Sequence, residues 1–177
     1  MGEKPELIRR TSEHTRCYVC DASSLINIWR HFGRNGVSAL RRLCRGSALR
    51  LPEGIVREIV AKGADALKKF VIKNRKEVEV QIPPSSQFAR ELCRLENCYG
   101  KRVRFGKQVY DGFWASKAGK KTMDAQVIAV AKVLKGTAVS DDRVVTLACA
   151  LEGVECIGFA ELSRRIGLAK QGQLPFD

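Results

Sequence analysis

The chain has 177 residues, 45% of them hydrophobic and 29% charged, which fits one soluble domain with a core of its own. Its 32 Lys and Arg against 19 Asp and Glu leave a net charge of +13, an excess that favours polyanions, either nucleic acid or an anionic membrane surface. No run of about 18 apolar residues exists to span a membrane, and the polar opening MGEKPELIRRTSEHTR lacks an apolar signal core, so the expected address is cytoplasmic.

Residues 1–16 read as a flexible basic lead-in to a domain over 17–167. Cys17–Cys20 is an unbroken apolar run, as in a strand covered on both faces. Asp21 follows it, and then Leu25, Ile28, Trp29 and Phe32 form one stripe of a helix. Val37, Leu40, Leu43 and Cys44 predict a second short helix, and 48–51 a brief strand. Pro52 stands where a helix starts; Ile55, Val56, Ile59 and Val60 give that helix its buried side and Gly63 its end. Glu58 borders that side. A further helix over 64–75 turns Leu67, Phe70 and Val71 inward, and the lysines of 62–76 form a solvated face. The alternation of EVEVQI, 77–82, predicts an edge strand. Ser85 or Ser86 caps a helix with the stripe Phe88, Leu92 and Leu95.

The segment 99–121 breaks the pattern. It reads as a long basic loop, with Lys101, Arg102, Arg104, Lys107, Lys117, Lys120 and Lys121 against the single acid Asp111, interleaved with Tyr99, Phe105, Tyr110, Phe113 and Trp114. Cations hold phosphates and rings stack on unpaired bases, so Lys101, Arg102, Arg104, Lys107, Lys120 and Lys121 are the candidate contacts to single-stranded RNA. The competing reading packs the rings on the core and leaves the lysines solvated. Thr122 then caps an apolar helix over 123–134, ended by Gly136. A strand over 137–140, a helix over 143–151, a strand over 154–157 and a helix over 160–166 complete the domain, and 168–177 is a polar tail. Strands alternating with helices argue for α/β architecture, with a parallel sheet and helices on both faces.

Seven cysteines are present, most of them in apolar segments (Cys20, Cys93, Cys149, Cys156), where a free thiol behaves as a small hydrophobe. Cys17 and Cys20 have zinc-knuckle spacing, yet i and i+3 of a strand point to opposite faces. His14 and His31 alone supply no histidine cage.

Four acids occupy comparable places. Asp21 and Asp142 follow apolar strands, Asp124 begins a helix, and Glu58 borders the buried face of another. Each also has a plainer reading: Asp21 and Asp142 as helix caps, Asp124 as a partner of a helix dipole, Glu58 as a surface residue. If the strands are parallel, all four converge on one end of the sheet. Carboxylates gathered there repel one another and call for a divalent cation; hard oxygen donors suit Mg²⁺ or Mn²⁺.

Three motifs carry a resemblance: CYVCDASSLINIW, IVREI around Glu58, and MDAQVIAVAKVLKGTAVSDDRVV. In this order and at these separations the chain resembles PIN domains over roughly residues 17–160. The resemblance implies a three-layer α/β/α sandwich with a mainly parallel sheet. It implies a metal site of Asp21, Glu58, Asp124 and Asp142 for Mg²⁺ or Mn²⁺, with Ser23 and Ser140 at the motifs' hydroxyl positions and Asp141 as an auxiliary acid. It also implies a metal-dependent endoribonuclease, either the toxin of a toxin–antitoxin pair, with an antitoxin protein as partner, or an RNA-processing nuclease; homodimers are common in the family. The basic insertion at 99–121 is longer than the compact toxin pattern. Two other classes stay open: a non-catalytic PIN-like module that binds RNA or protein, and a phosphatase on a doubly wound fold. The phosphatase is disfavoured because Ser23, not a second Asp, stands two residues after Asp21.

Overall fold

The computed structural model describes residues 17–100, 102–111 and 123–169. The elements follow in chain order as β1 (Tyr18–Cys20), α1 (Ala22–Arg45), β2 (Leu49–Pro52), α2 (Glu53–Lys62), α3 (Asp65–Lys73), α4 (Arg75–Val78), β3 (Glu79–Val80) and α5 (Gln87–Tyr99). After them come β4 (Arg102–Phe105), β5 (Gln108–Asp111), α6 (Asp124–Leu134), β6 (Thr137–Val139), α7 (Arg143–Leu151), β7 (Cys156–Ile157) and α8 (Phe159–Arg165).

The architecture is α/β. Five parallel strands form a sheet in the order β3-β2-β1-β6-β7. The chain lays β1, β2 and β3 in one direction and β6 and β7 in the other, so the order reverses between β1 and β6. Their register, Tyr18 with Thr137 and Cys20 with Val139, brings the residues just past both strands side by side. One helical group, α5, α6 and α7, packs together; α1 packs with α2, α3, α4 and α8. The sheet between them makes a three-layer sandwich.

Helix α6 is the buried centrepiece. Ala125, Val127, Ile128, Ala129, Val130 and Ala131 are all fully buried, and the helix lies on β1, β2 and β6. Such all-round apolarity marks a helix enclosed on every side. Burying a side chain such as Ile128 contributes roughly 1.5–3 kcal/mol.

Several expectations need correction. The two helices predicted over 25–44 run on as α1 with a kink at Gly33, whose φ of 49° and ψ of −126° suit glycine, not a residue with a Cβ. The strand predicted over 77–82 shrinks to the edge pair Glu79–Val80, because the chain is still helical through Val78, whose N–H donates to the Asn74 carbonyl. Val60 is 38% exposed and not part of the buried side of α2. Cys93 is exposed on α5, whose covered stripe runs elsewhere. The left-handed end of α6 falls on Lys135, one residue before Gly136.

The long loop expected over 99–121 is also corrected in part. Tyr99 ends α5, buried, with its hydroxyl donating to the Glu152 carboxylate, so it packs on the core. Arg102 to Asp111 forms an antiparallel hairpin turned at Gly106–Lys107. Residues 112–122, Lys101, the lead-in 1–16 and the tail from 170 lie outside the described residues, and with them Lys117, Lys120, Lys121 and the predicted cap Thr122. No described helix is long and apolar enough to cross a membrane.

Candidate metal centre

Asp21 stands where β1 hands over to α1, directly beside the end of β6. Its N–H donates to the Val139 carbonyl at 3.0 Å, which ties the two strand ends together. The carboxylate is 5% exposed and accepts three hydrogen bonds: from the Ser24 N–H at 2.6 Å, the Ser23 hydroxyl at 2.9 Å and the Ser140 hydroxyl at 2.6 Å. The first of these is an N-cap, since Asp21 stands just before the α1 amides. The capping expectation for Asp21 is thus met. Ser23 and Ser140 both stand at Asp21.

Ser140 is 2% exposed and does two things. It donates to Asp21 and accepts from the Asp142 N–H at 3.1 Å, so it links the acids that follow the two central strands. Asp142 caps α7, accepting from Val144 N–H at 2.7 Å and Val145 N–H at 3.2 Å, and its residue is exposed.

Asp124 opens α6 with no side-chain cap bond at that terminus. Its carboxyl is pushed up to about 6, first by burial and then by the negative charges of Asp142, Asp21 and Glu58. The four acids singled out in the sequence therefore share one electrostatic neighbourhood. Glu58 is half-buried on α2 and pairs at 3.6 Å with Lys62, one turn on. The convergence follows from topology: the carboxyl ends of β1 and β6 flank the point where strand order reverses, the place where open α/β sheets bind ligands.

Asp141, the auxiliary acid of the resemblance, makes a contact of its own. Its carboxylate turns to the start of α8 and accepts from the Phe159 N–H at 3.2 Å. Gly158 makes room for it, because a Cβ there would lie 2.4 Å from Asp141 Oδ1. Burial raises the Asp141 carboxyl above its usual range, with Asp21 adding in the same direction.

Among the described residues, no three His, Cys, Asp or Glu side chains stand close enough together to hold a metal ion as placed. The donors that share the site are all carboxylates, the ligand chemistry of Mg²⁺ and Mn²⁺ and not of a soft metal. Cys17 and Cys20 are free thiols, as are the other five cysteines.

Four residues near these acids carry roles that the sequence did not announce. Ser24 supplies the capped N–H and hydrogen-bonds Val139 O at 3.3 Å; its signal was its position three after a capping Asp. Arg143, next to Asp142, donates to Gln108 Oε1 at 3.5 Å and so brings the hairpin to the start of α7. The exposed Arg104 and Lys107 stand on that hairpin, and Arg102 lies on its first strand. Gln126 and Gly54 bind each other across 72 positions, with no local signal at all.

Comparison with known proteins bears on the fold. The solved structure titled "Crystal Structure of PAE2754 from Pyrobaculum aerophilum" is similar, with a TM-score of 0.50 and 15% identity over 88% of this chain and 98% of that chain. At this identity the likeness speaks for the fold alone. Neither the comparison with protein-family models nor the search of curated proteins gave a match.

Proposed function

We propose that the protein is a metal-dependent endoribonuclease of the PIN type, with Asp21, Glu58, Asp124 and Asp142 as its metal-holding acids. The observation that carries this reading is the Asp124 carboxyl, raised first by burial and then by Asp142, Asp21 and Glu58, beside the strand ends where the sheet order reverses. A fold rarely gathers like charges without a use for them, because each repels the rest.

Mg²⁺ or Mn²⁺ bound there would make a water molecule more acidic and offset the charge of a phosphodiester. The chain's own part is orientation. Three hydrogen bonds fix the Asp21 carboxylate, and Ser140 holds it in register with Asp142. Burial and the neighbouring acids push the Asp124 carboxyl up to about 6, so acid favours its neutral form and works against a bound cation. Arg143, Arg104 and Lys107 supply positive charge at the approach, and the net charge of +13 suits a polyanionic substrate. The toxin of a toxin–antitoxin pair and an RNA-processing nuclease are the two roles such an activity would serve.

A second reading has its own support: a non-catalytic RNA-binding module on the same fold. The capping work of Asp21 and Asp142 favours it, since both carboxylates already have a structural duty at a helix start. Incubating single-stranded RNA with the protein, with Mn²⁺ or with chelator, separates the two. Cleavage that needs Mn²⁺ supports the nuclease; tight binding without cleavage supports the module.

A further inference from the structure

We propose that Gln126 and Gly54 form a latch between α6 and α2 that sets Glu58 against Asp124, which makes Gln126 a positioning residue of the acid site. The inference rests on the metal-site reading above and extends it to residues outside the acidic set.

Helix α2 begins after Pro52, which has no side chain able to cap it, and no cap bond is made from that position. Its first amides are therefore in need of acceptors. Gln126 provides one from another helix: Gly54 N–H donates to Gln126 Oε1 at 3.1 Å. The approach is so close that a Cβ on Gly54 would lie 2.1 Å from Met123 Sδ and 2.6 Å from Gln126 Oε1. A larger residue at 54 would have to push the ends of the Met123 and Gln126 side chains aside. Gly54 is buried and Gln126 half-buried, so the bond is partly shielded from water.

The geometry then reaches the acids. Gln126 is two residues after Asp124, on the first turn of α6. Glu58 is four residues after Gly54, on the same face of α2. The bond therefore joins the turn of α6 that carries Asp124 to the helix start one turn before Glu58. This interhelical bond thus links the two helices that carry Asp124 and Glu58, the acids that do not follow strands. Asp21 and Asp142 are tied by Ser140 and the β1–β6 ladder, whereas among the described residues Glu58 is held through α2. Partners that orient metal ligands change metal affinity about 10–100-fold when removed.

The test measures Mn²⁺ affinity by calorimetry and amide hydrogen exchange at Gly54 in the metal-free protein. Gln126→Met keeps the length and removes the acceptor. Gln126→Glu keeps the acceptor. Gly54→Ala puts a Cβ against the Gln126 amide and Met123 Sδ, which displaces the acceptor while every acid stays in the sequence. Val130→Ala, in the buried part of α6, is a control that costs stability without touching the latch. Gln126→Met and Gly54→Ala are expected to weaken Mn²⁺ binding roughly tenfold, and Gln126→Met to speed exchange at Gly54. Gln126→Glu and Val130→Ala are expected to retain binding, and Gln126→Glu the protection. Unchanged Mn²⁺ affinity in Gln126→Met and Gly54→Ala, with a wild type that binds, overturns the latch as a positioning device. Loss of affinity in Val130→Ala equal to that in Gln126→Met overturns it too, since any destabilised α6 would then do the same. A wild type that binds no Mn²⁺ overturns the metal-site reading and this inference with it, even if exchange shows the Gly54 bond to be made.

Discussion

Replacing Asp124 by Asn in metal-free protein should stabilise it. The carboxyl rises from 3.8 to about 6 on folding, first from burial and then from Asp142, Asp21 and Glu58. Each unit corresponds to about 1.4 kcal/mol, so the ionised group opposes folding by roughly 3 kcal/mol at neutral pH, as an upper figure. Because the folded value lies above the unfolded one, the native state holds the proton more tightly between about pH 4 and 6. The penalty is absent below that window, grows through it, and is complete above it. Asn carries no charge, but it still occupies a partly desolvated place and gives up the favourable charge at the start of α6, about 0.3–1 kcal/mol. A net gain of about 1–2 kcal/mol is expected, a rise in Tm of roughly 2–8 °C for a chain of this size. Thermal melts with chelator at pH 7.5 and at pH 4 measure it. The variant should melt higher at pH 7.5 and level with wild type at pH 4. Mn²⁺ should then raise the wild type, by about 2.7 kcal/mol at a hundredfold excess over its Kd, and raise Asp124→Asn less. A variant less stable than wild type at pH 7.5, with neither protein responding to Mn²⁺, would refute the electrostatic argument and leave Asp124 as a helix-start residue.

Other outcomes follow from the same geometry. Ser140→Ala removes the donor to Asp21 and the acceptor for Asp142 N–H, and should cost about 1–3 kcal/mol in a denaturant melt while weakening Mn²⁺ binding; a neutral result would remove Ser140 from the site's framework. Mn²⁺ affinity should climb from pH 5 to pH 7 as Asp124 loses its proton near 6, and a flat calorimetric profile across that range would contradict the shift. Arg104→Ala with Lys107→Ala should weaken RNA binding and flatten its dependence on salt, measured by fluorescence anisotropy, by a slope of roughly one for each phosphate no longer neutralised. Glu152, 7% exposed in its side chain, joins Arg94 and Lys132 and accepts from Tyr99; Glu152→Ala leaves the cations without it and should cost about 3 kcal/mol with the acid site untouched.

What the sequence made legible was whatever depends on local period. The run at 17–20, followed by Asp21, and the strand read over 137–140, followed by Asp141 and Asp142, place these acids at strand ends because strand and turn chemistry lie within a few residues of each other. The helix stripes of α2, α5 and α6 were visible for the same reason. The hairpin over 102–111 was hidden by its composition: RVRF and QVYD alternate on either side of Gly106–Lys107, yet the density of lysine and glycine around them suggested a loop. Helical continuation through Val78 overrode the alternation of EVEVQI. Asp141 and Gln126 were illegible in a stronger sense. Their partners, Phe159 and Gly54, lie 18 and 72 positions away, and only the folded packing at Gly158 and Gly54 decides which way those side chains turn.

Circular single-stranded RNA, which has no ends, offers the most direct test of the central claim. With Mn²⁺ the wild type should convert circles to linear strands, and chelator should stop it. Asp21→Asn, which keeps the shape of the side chain and most of its hydrogen bonds, should fold normally by circular dichroism and leave the circles intact. Circles left whole by a wild type that binds them tightly, or opened equally well by Asp21→Asn, would contradict a nuclease built on these four acids.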